Sequence, residues 1–151
     1  MRALVQRVTQ ADVHVRPTDG APLEPAGTIG AGLVVFVGVT VSDTAASAQR
    51  LAAKVANLRI FDDAQGVANL SLLDIGGEAL VVSQFTLYAD TRKGRRPSYL
   101  GAARPEQAEP LVEAVTSALA ALGVRTASGR FQTHMQVALV NDGPMTFLIE
   151  V

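Results

Sequence analysis

The feature that most constrains the fold is the segment at residues 32–39 (GLVVFVGV), in which every residue other than glycine is apolar. A strand with one face in water alternates apolar and polar residues, whereas a strand covered on both faces is apolar throughout. The segment therefore predicts a central strand of a sheet. Asp43 or Thr44 can cap a helix after it, and the apolar residues of that helix recur at helical spacing, at Leu51, Val55 and Leu58.

The remaining patterns predict further strands, one more helix and several loops. Pro105 starts the second helix and Gly123 ends it, although Pro110 lies inside it and is unusual there. The chain between residues 17 and 25 carries two turn signals and is expected to be a loop. We expect strands at residues 1–8, 11–16, 67–74, 78–88, 135–140 and 145–151, the last two joined by a turn at 141–144.

Length and composition indicate one domain over residues 1–151. A chain of 151 residues with 48% hydrophobic residues can form a core without disulfide bonds or bound metal. A domain of this size buries about 68–70% of the surface that its unfolded chain exposes. The 13 Lys and Arg residues nearly balance 14 Asp and Glu residues. This balance argues against a strongly basic protein that coats nucleic acid, but it is compatible with a local basic patch.

Several function classes are excluded by what the composition lacks. With no Cys and two His, the chain has no disulfide framework, iron–sulfur centre, Cys-bearing zinc site or cysteine nucleophile, and no metal or cofactor is predicted. The longest apolar run is about ten residues, against about 20 for a membrane-spanning helix, and the N-terminal residues do not form a signal peptide. We expect a cytoplasmic protein that does not enter a membrane.

The first candidate site is Ser83-Gln84-Phe85-Thr86-Leu87, at the end of an otherwise apolar strand. Strand alternation predicts Gln84 and Thr86 on one face and the other three residues on the opposite face. A buried hydroxyl or amide without a partner costs about 1–3 kcal/mol, so these groups either face water at a rim or serve a site. Thr86 has the chemistry to attack an acyl group, but no base lies near it in sequence.

The second candidate is a basic loop formed by Arg92, Lys93, Arg95 and Arg96. Four cations within five residues suit a phosphodiester backbone, and Tyr99 could stack on a base. The alternative is a solvated loop that keeps the protein soluble.

The third candidate is Asn141-Asp142-Gly143-Pro144, which is an ordinary hairpin turn by its residue types. Proline is unusual there because it removes a ladder donor where the return strand should begin, and the Gly-Pro bond can be cis or trans. Arg7 on the first strand is either a structural ion pair or a backbone clamp. His14 and His134 lack a third ligand, and we expect them to be exposed or hydrogen-bonded.

Taken together, these residues resemble D-aminoacyl-tRNA deacylases from residue 1 to residue 151. Ser-Gln-Phe-Thr and Asn-x-Gly-Pro are specific as a pair in this order. The matching segments are residues 3–8, 29–33, 83–87, 96–98, 129–131, 135–137 and 139–147.

The resemblance implies a mixed α/β, barrel-like and largely antiparallel sheet with two helices outside. It also implies a homodimer that proofreads tRNA charging by hydrolysing the ester of D-aminoacyl-tRNA, and of glycine mischarged on alanine tRNA. Gly143-Pro144 would be cis and enter the partner subunit's pocket, supported by Arg7 and Met135. Ser83, Gln84, Phe85 and Thr86 would line the pocket for the terminal adenosine.

Two mechanisms fit this resemblance. Thr86 acts as the nucleophile, or it orients the adenosine while the ribose 2′-OH assists an attacking water; lacking an adjacent base, we favour the second. Two other functions stay open from the residues: a non-enzymatic RNA-binding module that uses the basic loop, and a small-molecule esterase that uses Thr86 or Ser83. Gln132-Thr133-His134 and a long loop at residues 16–25 depart from the family pattern.

Overall fold

The computed structural model describes all residues, 1–151, and its backbone is dominated by one mixed sheet of six strands with two helices. A separate pair of short strands forms a small hairpin. The elements in chain order are β1 (Arg2–Arg16), β2 (Glu24–Ile29), β3 (Gly32–Gly38), α1 (Ala45–Asn57), β4 (Phe61–Asp62), β5 (Ala68–Leu70), β6 (Glu78–Ser83), a 3₁₀ turn (Phe85–Tyr88), α2 (Pro105–Ala121), β7 (Arg125–Ser128) and β8 (His134–Glu150).

The long strand β1 organises the sheet because it pairs with three others. On one side it runs antiparallel to β8 along its whole length. On the other side its first half pairs with β3 and its second half with β2, both antiparallel. The parallel pairs β3–β6 and β6–β7 complete the order β2-β1-β3-β6-β7.

The prediction of separate strands at residues 1–8 and 11–16 was therefore wrong. The exposed residues Thr9 and Gln10, which suggested a break, lie where the register against β8 shifts within a single strand. The predicted loop at residues 17–25 also ends early, since β2 begins at Glu24. Gly27 lets β2 approach β7, because a Cβ there would lie 3.0 Å from the Ser128 carbonyl oxygen. This contact nearly closes the sheet into a barrel.

The core confirms that β3 is buried on both faces. Leu33, Val35 and Val37 belong to the larger apolar cluster, together with buried residues of α1 and α2. Val34 points the other way into a smaller cluster with Val13. The fold predicted from the resemblance, a barrel-like mixed sheet with two helices on its outside, is confirmed.

Both helices begin where the sequence predicted. α1 follows Thr44, whose amide donates to the Ser47 hydroxyl at 3.3 Å. α2 begins at Pro105 and continues past Pro110 without a break. Asp43 is buried just before α1, where its carboxylate lies 2.6 Å from the ammonium group of Met1 and accepts the Thr40 amide at 2.8 Å. No helix is long and apolar enough to cross a membrane.

The predicted hairpin at residues 135–151 was wrong, because both halves belong to one strand, β8, that runs in one direction. Val8 of β1 faces Asn141, and Gln6 faces Thr146. The residues in between, 142–145, therefore bulge out opposite Arg7. The Asn-Asp-Gly signal marks a real departure from the strand, but β1 is long enough to pair with the chain on both sides of it, so no reversal occurs.

Candidate active site

The strand predicted at residues 78–88 ends early, at Ser83, and the chain then tightens into the 3₁₀ turn. The Gln84 amide donates to the Val37 carbonyl at 2.7 Å, which is the last bond to β3. Gly38 leaves room for this turn, since a Cβ there would lie 3.1 Å from the Gln84 carbonyl oxygen. The predicted strand alternation of Ser83 to Leu87 was therefore wrong beyond Ser83. The side chains of Gln84 and Thr86 nevertheless meet, because the side-chain amide of Gln84 donates to the Thr86 hydroxyl.

A cavity of about 620 Å³ opens at this point, between the end of β6, the start of α2 and the start of β8. Phe85 and Tyr99 meet at its wall edge to face, with ring centroids 5.0 Å apart. Most of the lining is apolar. Its polar and charged side chains are Ser83, Gln84, Tyr99, Arg104, Gln132, Thr133 and His134.

Three of the four predicted catalytic residues, Ser83, Gln84 and Phe85, line this cavity, whereas Thr86 reaches it only through Gln84. No Asp or Glu lines it. Sequence analysis missed Arg104 and did not assign His134 to any site, although both lie in its wall. Neither has a motif around it, and only the folding of the chain brings them to Ser83. The departure at Gln132-Thr133-His134 falls in the cavity wall as well.

Arg7, on the neighbouring strand β1, holds the bulge at residues 142–145 in place. Its side chain is only 7% exposed, and its Nε donates to the Asp142 carbonyl at 3.2 Å and lies 2.9 Å from the Asp142 carboxylate. Its Nη1 donates to the Ile60 carbonyl at 2.6 Å. Both readings of Arg7, an ion pair and a backbone clamp, therefore hold together.

The bulge is also tied down from its own side. Asn141 donates from its side-chain amide to the Arg7 carbonyl at 2.9 Å and to the Met145 carbonyl at 3.3 Å. The Gly143-Pro144 peptide bond is cis, and both residues are exposed at the outer edge of β8.

The structure separates the predicted site residues into two groups. Met135 lies at the start of β8 opposite Val15 and lines the cavity. Gly143 and Pro144 lie eight and nine positions further along the same strand, beside Arg7. A contact between Met135 and Gly143-Pro144 therefore stays a prediction that needs a second copy of the chain.

The basic loop closes on itself next to the cavity. Asp90 and Ser98 exchange two backbone hydrogen bonds of 2.7 and 2.9 Å, and Arg92 binds the Asp90 carboxylate through Nε and Nη2. These side-chain bonds, with the Arg92 amide, hold the pKa of Asp90 well below its usual range. Lys93, Arg95 and Arg96 are exposed and have no carboxylate partner.

Known proteins match this chain along nearly its full length. The family model for D-Tyr-tRNA(Tyr) deacylase matches residues 4–150. A D-aminoacyl-tRNA deacylase of Roseiflexus castenholzii is 59% identical over 99% of this chain and 92% of its own. The one of Brevibacillus brevis is 49% identical over 99% of both chains.

Solved structures agree with the fold. The protein called c-Myc DNA Unwinding Element Binding Protein has a TM-score of 0.88 at 37% identity, over 100% of this chain and 99% of its own. A structure described as a probable eukaryotic D-amino acid tRNA deacylase has a TM-score of 0.83 over 99% of this chain and 98% of its own. At 17% identity, that second likeness shows the fold alone.

The fold, the cavity and these matches define an enzyme, a hydrolase of the ester bond of aminoacyl-tRNA. The chain belongs to the D-aminoacyl-tRNA deacylase family.

Proposed function

We propose that residues 1–151 act as one domain, in the cytoplasm, that removes D-amino acids from tRNA, with the terminal adenosine and its ester in the cavity at the end of β6. The volume of about 620 Å³ lies within the usual range for sites that take a small ligand. The observation that carries the proposal is the Arg7-anchored bulge on β8. The bulge presents main-chain carbonyls at a fixed position on the exposed edge of β8, where they can enter the cavity of a second copy of the chain.

The active site in this proposal is completed by a homodimer. The outer edge of β8 has no strand beside it, and Val140, Phe147 and Leu148 are exposed there. A two-fold axis reverses the direction of a strand, so an axis near Val140 brings the late part of one β8 to the early part of the other. The bulge of one copy then meets the cavity of its partner.

Handedness is read by this bulge. Carbonyls at Gly143-Pro144 accept hydrogen bonds from the α-ammonium of the substrate and leave space only for hydrogen on one side of Cα. An L side chain would collide with the rigid main chain, and the cost of that collision is the basis of discrimination. Glycine carries two hydrogens and passes the same test, so glycyl-tRNA mischarged on alanine tRNA is a further substrate. The amino-acid side chain itself need not be read.

Water performs the hydrolysis in the mechanism we favour. It attacks the ester carbonyl, the C–O bond to the ribose breaks, and the ribose oxygen takes a proton, which yields free D-amino acid and tRNA. The amides of Phe85 and Thr86 precede the first bond of the 3₁₀ turn, from the Leu87 amide to the Gln84 carbonyl, so the turn itself gives them no acceptor, and in this mechanism they stabilise the oxyanion. One such donor is worth about 2.7–4 kcal/mol.

The ribose 2′-OH assists that water, and Thr86 orients the adenosine. The Thr86 hydroxyl accepts a hydrogen bond from Gln84, and no carboxylate lines the cavity to deprotonate it. The hydroxyl is bonded to Gln84 and not to His134, the one histidine in the cavity wall, so a threonine nucleophile lacks the hydrogen-bonded base that would activate it.

The direct test follows ester loss from D- and L-tyrosyl-tRNA incubated with the purified protein. We expect hydrolysis of the D-ester only. Binding of both tRNAs without turnover would indicate an RNA-binding module. Cleavage of chromogenic esters with D-tyrosyl-tRNA left intact would indicate a small-molecule esterase.

A further inference from the structure

Arg104 is the one Lys or Arg residue in the cavity wall. It is the residue before α2, its side chain is exposed, and it has no carboxylate within 4 Å. An arginine without an acidic partner keeps its planar set of donors available for two oxygens of one phosphate. If the terminal nucleoside occupies the cavity, its 5′ phosphate must lie at the opening through which the rest of the polynucleotide leaves.

Two apolar residues just outside the cavity, Leu100 and Val41, are 93% and 65% exposed, and we call this pair the apolar step. The two segments run side by side, because Thr40 pairs with Ala102 and its hydroxyl donates to the Gly101 carbonyl at 2.7 Å. Gln107, in the first turn of α2, donates to the Val41 carbonyl at 3.1 Å. The step is therefore attached to the same helix start that carries Arg104.

The chain order links the step to both neighbouring features. Tyr99 lies in the cavity wall, Leu100 follows it on the outside, and the basic loop closes immediately before, at the Asp90–Ser98 bridge. Apolar side chains that lie, in chain order, between a rim arginine and three unpaired cations suit a polyanion with flat aromatic bases, since the base faces can pack on them while the cations bind the backbone.

We propose that Arg104 binds the phosphate between the last two nucleotides of the tRNA, and that the Leu100–Val41 step packs against the penultimate base. This inference rests on the proposed function and adds the path of the single-stranded 3′ end to it. Lys93, Arg95 and Arg96 then lie further along the same path and meet phosphates closer to the acceptor stem.

The test pairs variants with altered tRNA. D-Tyrosyl-tRNA is assembled with the terminal phosphodiester either natural or replaced by a neutral methylphosphonate, and kcat/KM is measured for both. We expect Arg104→Ala to lower kcat/KM about tenfold on natural tRNA and less than about twofold on the methylphosphonate, because the substituted charge no longer has a partner to lose. Arg104→Lys should retain only part of the activity, because lysine keeps the positive charge but not the paired donors. Arg50→Ala, an exposed arginine of α1, is the control and should change neither.

Leu100→Ser is tested in the same way with an abasic penultimate nucleotide. The variant should raise KM about threefold on natural tRNA and leave the abasic substrate unchanged. Leu122→Ser, also an exposed leucine but beyond the end of α2, is its control.

Each result has a definite consequence. Losses by Arg104→Ala that are equal on both substrates, or absent from both, overturn the phosphate contact, and equal losses by Leu100→Ser overturn the base contact. Wild-type protein that leaves D-tyrosyl-tRNA intact contradicts the proposed function itself. Wild-type activity without coupling to the altered linkage contradicts only this inference.

Discussion

The two ends of β8 differ in what holds them and in what they offer. At the start of the strand, alternate residues such as Met135 and Val137 turn inward and line an apolar cavity. From Val140 onward the alternation stops, and the bulge at residues 142–145 is held by the buried charge of Arg7 and by Asn141. One end is a concave surface made of side chains, and the other is an exposed bulge made of main chain.

In the proposed function, this difference lets one strand divide two recognition tasks. A cavity lined mostly by apolar side chains suits a nucleoside, whose base is flat and aromatic. Discrimination between hydrogen and a side chain at Cα needs a stop that does not yield, and a doubly anchored main chain provides it. Because the two ends are far apart along β8, the proposed site requires two copies of the chain. The following predictions test that division, from the largest expected effect to the smallest.

Arg7→Ala should have the largest effect, because it removes the bonds to Asp142 and Ile60 at once. We expect about a 100-fold fall in kcat/KM on D-tyrosyl-tRNA, since small displacements of positioning groups have effects of this size. Stability should fall by only about 1–3 kcal/mol, measured by urea unfolding. Arg125→Ala, which breaks an exposed pair with Glu78, is the control. Full activity in Arg7→Ala would show that the bulge does not act in the reaction.

Val140→Lys should separate the two copies, because the substitution places two positive charges near the proposed two-fold axis. We expect a monomer in sedimentation and about a tenfold loss of activity, with recovery at higher protein concentration. Leu122→Lys changes a side chain of similar exposure, 43% against 49%, and should leave both measurements unchanged. An active monomer of Val140→Lys would contradict the shared site.

Thr86→Ala should keep measurable activity, with a loss of about three- to tenfold, because the lost hydroxyl orients the substrate. Wild-type protein should lose most of its activity on tRNA that ends in 2′-deoxyadenosine. Equal hydrolysis of the ribo- and deoxy-substrates would refute assistance by the 2′-OH, and an inactive Thr86→Ala variant would favour the threonine nucleophile.

Asp90→Asn should have the smallest effect, about a twofold weaker affinity for tRNA, because it loosens the loop that presents the cations without removing them. The folded-state pKa of Asp90 lies below the ordinary value of 3.8. The ion pair is therefore present at neutral pH and is lost only as the pH falls through that lowered value. Affinity in the wild type should not change between pH 7 and about pH 5 through this pair. Asp19→Asn, in an exposed loop, is the control.

The sequence predicted those parts of the fold in which local pattern and burial agree. Residues 32–39 are apolar on both faces and pack against an apolar cluster on each of them. Helix α1 follows its cap at Thr44. The pattern misled at β8, where Asn-Asp-Gly carries the same local signal in a hairpin turn and in a bulge. The outcome depends on β1, which lies far away in sequence and offers pairing to both halves.

The candidate site was predicted only in part for a similar reason. Ser83, Gln84 and Phe85 were found because polar residues at the end of an apolar strand are conspicuous. The turn at Phe85–Tyr88 was missed because the same residues also fit a strand. Arg104 and His134 reach the cavity through the packing of α2 and β8 against β6, and that packing leaves no mark in the residues around them.

The most direct test of the account is a heterodimer of two inactive chains. One copy carries Arg7→Ala, with its cavity intact, and the other carries Ser83→Tyr, which fills the cavity but leaves the bulge intact. Each homodimer should retain about 1% of the wild-type activity on D-tyrosyl-tRNA or less. The isolated heterodimer combines one intact cavity with one intact bulge and should recover about half of the wild-type activity. A heterodimer as inactive as its parents would contradict a site shared between two copies.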